Sequence, residues 1–239
     1  MNLQQLYSKI RQAIDDYHMI EAGDKIAVGL SGGKDSIALL YALSGLQQFY
    51  PIPFSIMAVT VDLGFPGQDY SALSELCSQL KVPYEIIPTQ IAEIVFDLHK
   101  EERPCSLCSR LRKGAFNQRI VELGYNKLAY AHHRDDVVDT AMLSLVYESR
   151  WHTLSPVTHL DKTGLSLIRP LIYVKEADIK GFIKDYQLPV HRNPCPADHH
   201  TRRETVKQMI HLIDQEVPGV RERIFTAICQ SGIDGWLPR

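Results

Sequence analysis

The chain alternates between short, continuous apolar runs and longer stretches in which apolar residues recur at helical spacing. Residues 25–30 (KIAVGL), 54–61 (FSIMAVTV), 84–87 and 127–131 (KLAYA) are apolar runs bounded by turn residues, the pattern of buried strands. Between them lie helical stretches at 36–49, 70–80, 91–100, 109–123 and 135–148, and residues 3–20 form a leading amphipathic helix. Strands alternating with helices of this length predict an α/β fold with a doubly wound parallel sheet covered on both faces. Ligands of such sheets sit at the carboxyl ends of the strands, which selects the segments 31–36, 62–68 and 132–136. The last third is less regular. A fifth strand is expected at 165–168, a helix at 175–186, a loop rich in Pro, His and Cys at 191–201, and C-terminal helices at 202–215 and 220–230. The expected division is an N-terminal helix (1–20), a nucleotide-binding domain (21–190) and a C-terminal helical segment (191–239).

The first of the three selected segments is Ser31-Gly32-Gly33-Lys34-Asp35-Ser36, between a strand and a helix. Two glycines permit a tight turn and close approach of a ligand. Successive N–H groups and the helix N-terminus form a nest for an anion. Ser31 and Ser36 add hydroxyls, Lys34 a positive charge, and Asp35 a carboxylate suited to Mg²⁺ bridging phosphates. The spacing is neither that of the Walker A loop nor that of the dinucleotide fingerprint. The bland alternative is a Gly-Gly turn before a capped helix. Strand-loop-helix context and six motif positions favour phosphate binding.

Five cysteines, an odd number, argue against a disulfide scaffold. Cys105 and Cys108 form a C-x2-C pair before a basic helix, and Cys195 stands in Asn193-Pro194-Cys195-Pro196. Three thiolates suit a [4Fe–4S] cluster with one iron left open. Zinc with His199 or His200 as fourth ligand, and a persulfide carried on the pair, are the competing readings. Cys77 and Cys229 lie in helical stretches and read as small buried hydrophobes. His132-His133-Arg134-Asp135-Asp136 follows the fourth strand. Two imidazoles and two carboxylates there are costly unless solvated or used, although Asp135 or Asp136 also serves as a helix cap.

SGGKDS resembles the signature of the PP-loop ATP-pyrophosphatases, of the adenine-nucleotide alpha-hydrolase (HUP) fold. Together with PCSLCSRLR, HHRDD and the segment Ile168-Arg169-Pro170-Leu171, it resembles the TtcA family of tRNA 2-thiocytidine synthetases over roughly residues 20–230. Ala131 replaces a glycine usual in that family. The resemblance implies that ATP is held by Ser31, Gly32, Gly33, Lys34, Asp35 and Ser36. Adenine is then expected near Val61, within residues 59–63, with His132 and Asp136 against the nucleotide. It implies catalytic roles for Lys34, Asp35, Cys105, Cys108 and Cys195. The three cysteines are the iron–sulfur ligands and Asp35 the Mg²⁺ ligand. ATP attacked at its α-phosphate yields an adenylated carbonyl, which sulfur then resolves. The implied partners are tRNA, or a small heterocyclic acceptor, and a sulfur donor such as a cysteine desulfurase.

Composition constrains the partners less. The net charge is −2, with 45% hydrophobic and 23% charged residues, as in ordinary soluble proteins. Local basic groups still exist: Arg110, Arg112, Lys113 and Arg119, and Arg192, Arg202, Arg203 and Lys207. They read equally as solvated helix faces or as sites for an RNA backbone. The N-terminus lacks the basic start, apolar stretch and cleavage site of a signal peptide. No apolar run approaches the ~20 residues of a membrane span. A cytoplasmic enzyme is therefore expected, with a homodimer as the commonest assembly. Two other readings stay open: nitrogen transfer, which needs no cysteine triad, and a non-catalytic nucleotide-binding protein, which needs no intact SGGKDS.

Overall fold

Strand β1 (Asp24–Gly29) is the centre of the fold, paired in parallel with β2 (Phe54–Asp62) on one side and β4 (Lys127–Ala129) on the other. The structure is a computed structural model describing residues 1–98, 104–191, 195 and 202–238. With β3 (Tyr84–Pro88), β5 (Val157–Leu160) and β6 (Leu165–Ile168), the sheet runs β3-β2-β1-β4-β6-β5. All pairings are parallel except β5 with β6. That antiparallel edge was not among the expected strands. Its sequence, VTHL, is half polar, as suits an edge with one neighbour.

Side chains of successive strand residues point to opposite faces, and the core divides accordingly. Ile26 and Val28 join one buried cluster while Ala27 joins another. The first cluster receives α1 (Leu3–Asp16), α2 (Lys34–Leu46), α6 (Glu176–Asp185) and the C-terminal Trp236. The second receives Phe116 and Ile120 of α4 (Pro104–Glu122) and Val95 of a π-helical turn at Glu93–Leu98. Helices α3 (Ser71–Gln79), α5 (Arg134–Glu148), α7 (Arg202–Glu216) and α8 (Val220–Ser231) complete the described α-helices. Among the described residues no helix is long and apolar enough to cross a membrane.

Two expected boundaries move. Helix α4 begins at Pro104, not at 109. Proline is at home in the first turn of a helix, where its missing N–H is not needed, so Cys105 and Cys108 lie on the helix and not before it. Helix α5 is capped by His133, not by Asp135 or Asp136. Its Nδ1 accepts from the Asp136 N–H at 3.3 Å, and Asp136 Oδ2 accepts from the His133 N–H at 3.0 Å.

A buried ion pair ties the base of β1 to β4. Lys127 Nζ stands 2.7 Å from Asp24 Oδ2, with both residues buried. The carboxylate also accepts from the Glu21 N–H and from Asn126 Nδ2. Burial alone would raise the Asp24 pKa, but these partners hold it below the usual range. Its stabilisation is therefore present above the unfolded carboxylate's pKa and is lost as pH falls through the folded value. Lys127→Met leaves the carboxylate buried without its cation. The expected cost is about 3–5 kcal/mol, read as a drop of several degrees or more in thermal unfolding at neutral pH.

Candidate active site at the carboxyl ends of the strands

Beyond β1 the chain turns sharply into α2. Gly32 adopts φ +80°, and a Cβ there would stand 2.6 Å from the Cβ of His191, so both conformation and space demand glycine. The loop hydroxyls fix its shape. The Ser31 N–H donates to Ser36 Oγ (3.2 Å), the Gly33 N–H to Ser31 Oγ (3.3 Å), and Ser36 Oγ donates to the Gly33 carbonyl (2.9 Å). Gly33 caps α2 without a side chain, which leaves the first N–H groups of the helix uncapped on the wall formed by Ser31, Gly33, Asp35 and Ser36. From the far end of the chain, the His191 N–H donates to the Gly32 carbonyl at 2.9 Å. Its Nε2 meets Gln68 Oε1 at 2.9 Å. Residue 191 thus closes over both the 31–36 and the 62–68 loops.

These elements border a cavity of about 680 Å³, within the range of small-molecule sites. Val59 and Val61 of β2, Tyr130 and His132 beyond β4, and Arg169 beyond β6 line it across the sheet. This is the crevice at which the strand order reverses around β1 and β4.

The two halves of the site are joined through α5. His133 is buried, and its Nε2 lies 3.7 Å from Asp35 Oδ1. Asp136 lines the cavity and is held by Arg203 Nη1 at 2.9 Å. Burial would raise the Asp136 pKa, but His133, His132 and Arg203 together bring it below the ordinary value. His132 is pushed down to about 4, first by burial and then by Arg169, so it is a neutral imidazole at neutral pH.

Lys34 does not line the cavity in this structure. Its Nζ lies 2.9 Å from Asp35 Oδ2 and 3.0 Å from Glu176 Oε1 at the start of α6. Burial would lower the Lys34 pKa, but the two carboxylates raise it. Burial would raise that of Glu176, but Lys34 and Lys180 hold it at about 2. Glu176 was not singled out in the sequence; its only local signal is the acidic first turn of a helix.

The opposite wall carries the cysteines. Positions 105, 108, 112 and 116 recur at helical spacing, and Cys105, Cys108, Arg112 and Phe116 all face the cavity, which Cys195 also lines. Burial raises the Cys108 pKa most; Arg112 opposes it, and the neighbouring Cys195 and Cys105 add to it. The donor set is therefore three soft thiols on one cavity, chemistry that matches an iron–sulfur cluster. Among the described residues no three His, Cys, Asp or Glu side chains group around a single metal ion. His199 and His200 lie outside the described residues, as does Arg192.

The basic residues divide. Arg112, Lys113 and Arg203 border the cavity, and Arg110 is exposed. Arg202 lies over the Tyr147 ring at 4.9 Å. Arg119 is engaged with Glu85 and Glu122, away from the site. Lys207 is partly buried, within electrostatic reach of Asp139. Cys77 is buried and Cys229 half-buried, and burial pushes each thiol up to about 11.

A glycine turn feeding a helix N-terminus at the switch point of a mostly parallel sheet is the arrangement of an α/β phosphate-binding protein. Residues 2–213 match the PP-loop domain family. The chain is 40% identical over 218 residues to the tRNA-cytidine(32) 2-sulfurtransferase of Cellvibrio japonicus (strain Ueda107), covering 90% of this chain and 72% of that protein. It is 39% identical over 234 residues to the protein of the same name from Aliivibrio fischeri (strain MJ11), covering 95% and 76%. The chain therefore belongs to the tRNA-cytidine(32) 2-sulfurtransferase family of PP-loop proteins. Among solved structures it is similar to the U34-tRNA thiolase NcsA from Methanococcus maripaludis with its [4Fe-4S] cluster, at a TM-score of 0.76 and 23% identity over 93% of this chain and 76% of that one. The NH3-dependent NAD synthetase from Campylobacter jejuni is further off, at a TM-score of 0.52 and 14% identity over 100% and 98%. At these identities the structural likeness is one of fold.

Proposed function

We propose that the chain is an ATP-dependent tRNA thiolase that replaces the C2 oxygen of a cytidine, at position 32 as in its relatives' name, with sulfur. The observation that carries this reading is the opening of the glycine loop and all three cysteines onto one cavity. A nitrogen-transferring enzyme has no use for the cysteine wall, and a nucleotide sensor has no use for either the wall or the basic rim.

In this reading the β- and γ-phosphates of ATP lie on residues 31–36, adenine packs on Val59 and Val61, and Asp35 holds Mg²⁺. The C2 oxygen of the base attacks the α-phosphorus. The bond from that phosphorus to its bridging oxygen breaks, and pyrophosphate leaves from the loop. C2 is now bonded to an adenylate oxygen and is electrophilic. A sulfur nucleophile at the oxidation level of sulfide attacks C2 from the cysteine side of the cavity. The C2–O bond breaks, AMP carries the oxygen away, and a thiocarbonyl remains. A [4Fe–4S] cluster on Cys105, Cys108 and Cys195 would supply an open iron that presents sulfur. The neutral His132 orients the base without adding charge. Arg112, Lys113 and Arg203 at the rim, with Arg110 and Arg202 further out, receive phosphates of the RNA backbone. A sulfur donor such as a cysteine desulfurase, and a cytoplasmic setting, complete the proposal.

The test is anaerobic incubation of iron-replete protein with ATP, Mg²⁺, sulfide and a tRNA bearing cytidine at position 32, beside the same tRNA with uridine there. The expected result is 2-thiocytidine in the nucleoside digest of the first tRNA alone, with AMP and pyrophosphate formed in step. AMP formation indifferent to tRNA, or an unmodified digest, sinks the reading.

A further inference from the structure

Lys34 opens helix α2, where the positive end of the helix dipole disfavours a cation. Its ammonium sits on a flexible four-carbon stem and, left to itself, is free to turn to solvent. Two carboxylates hold it: Asp35 Oδ2 stands 2.9 Å from Nζ, and Glu176 Oε1 3.0 Å. The two are not equivalent. Asp35 belongs to the loop and borders the cavity, whereas Glu176 is not among the residues lining it. A ligand entering the cavity therefore meets Asp35 first and leaves the bond to Glu176 in place.

Glu176 is itself firmly placed. Its N–H donates to Asp135 Oδ2, in the HHRDD segment, at 2.8 Å. Asp135 is braced by Arg221 Nη1 at 3.5 Å, and that guanidinium is anchored on the fully buried Asp139 at 2.7 Å. The Arg134 N–H donates to the Val174 carbonyl at 3.0 Å, which ties the start of α5 to the turn leading into α6. Helix α6 is also packed on α2. Its Ile179 and Phe182 are buried, and the Phe182 ring meets that of Tyr41 in α2 with centroids 5.7 Å apart. The carboxylate thus reaches Lys34 from a helix locked to the one that Lys34 opens. A fixed acceptor of this kind removes conformational freedom from the lysine before substrate arrives. That counts most where developing charge must be met at one place.

We propose that Glu176 is a positioning residue: from the start of α6 its carboxylate fixes the Lys34 ammonium one hydrogen bond from the cavity wall, so that this charge stands in place as pyrophosphate leaves. This rests on the ATP reading of the site given above. Glu176 touches no substrate and acts through Lys34.

The experiment measures tRNA-dependent pyrophosphate release, as kcat and as KM for ATP, beside a thermal melt, in the full-length protein and its variants. In Glu176→Ala, kcat is expected to fall about 10- to 100-fold, the scale of a group misplaced by about 1 Å. KM for ATP should change less than about threefold, because the loop N–H groups still hold the phosphates in the ground state. Glu176→Gln keeps an oxygen that accepts from Lys34 and should keep most of the rate. In a Lys34→Ala background, Glu176→Ala should cost nothing further, since residues that act through one another are not additive. An unchanged kcat in Glu176→Ala overturns the proposal. So does an equal fractional loss in the Lys34→Ala background, which would make Glu176 a brace for α6 and nothing more. A Glu176→Gln variant as slow as Glu176→Ala overturns it by assigning the effect to charge and not to position. A lower KM for ATP in Glu176→Ala overturns it by making the carboxylate a competitor that draws Lys34 off the phosphates. If the unaltered protein releases no pyrophosphate with tRNA, the ATP reading itself fails, a result distinct from all of these.

Discussion

Replacing Lys34 with alanine is expected to lower ATP-to-AMP turnover by at least about 100-fold, the scale of losing one preorganised group at a centre of developing charge, while the fold survives. The ion pairs explain why both parts of the expectation hold. Lys34 Nζ lies between Asp35 and Glu176, which engage two of its three N–H donors and leave the third for a phosphate oxygen. Glu176 does not become an orphan in the variant, because Lys180 Nζ stands 3.1 Å from the same oxygen. Protonation does not confuse the result. The Lys34 pKa is raised, so its contribution is present below the unfolded amine's value and lost only as pH rises through the raised one. The Glu176 pKa is lowered to about 2, so its contribution is lost only as pH falls through that value. Both groups keep their charge across the neutral range. The measurement is tRNA-dependent pyrophosphate release beside a thermal melt. Full turnover with an unchanged melt would remove the loop from the chemistry.

The sequence exposed the parts of this site that are local. SGGKDS is legible because tight backbone geometry, hydroxyls and charge all fall within six residues, and the alternation of strand and helix places it at a strand end. The same periodicity announces a wound sheet, since both faces of β1 and β2 must be apolar. What escaped is what the topology assembles. Glu176 reaches Lys34 from a helix more than a hundred positions away, with no local mark of that role. Arg169 opens a recognisable Arg-Pro-Leu, yet its burial without a carboxylate among the described residues depends on β5 folding back against β6. That strand carried no apolar run to predict it. The cysteine pair was expected just before the helix and lies on it, because Pro104 opens the helix.

Cys195→Ala is expected to abolish cytidine thiolation and to strip most of the iron from anaerobically purified protein, leaving AMP and pyrophosphate binding unchanged. Cys105 and Cys108 lie one turn apart on α4 and reach the cavity from one side, so a cluster held by them alone keeps two protein ligands where three are needed. Cys195 comes from a separate segment, and its removal therefore takes the site apart without touching the helix or the loop. Cys77→Ala is the contrasting substitution. That thiol is buried in the apolar core, with its pKa driven up to about 11, and its loss should cost stability and no iron. The nucleoside digest reads the loss of thiolation, and iron, sulfide and visible absorbance read the loss of the cluster. Iron and thiolation both intact in Cys195→Ala would overturn the three-thiolate assignment. A colourless unaltered protein holding one zinc would make the cysteines structural, and one holding no metal would place the sulfur on the Cys105–Cys108 pair as a persulfide. In either case the ATP half of the reaction, which depends on residues at the other end of the cavity, would still be tested by Lys34.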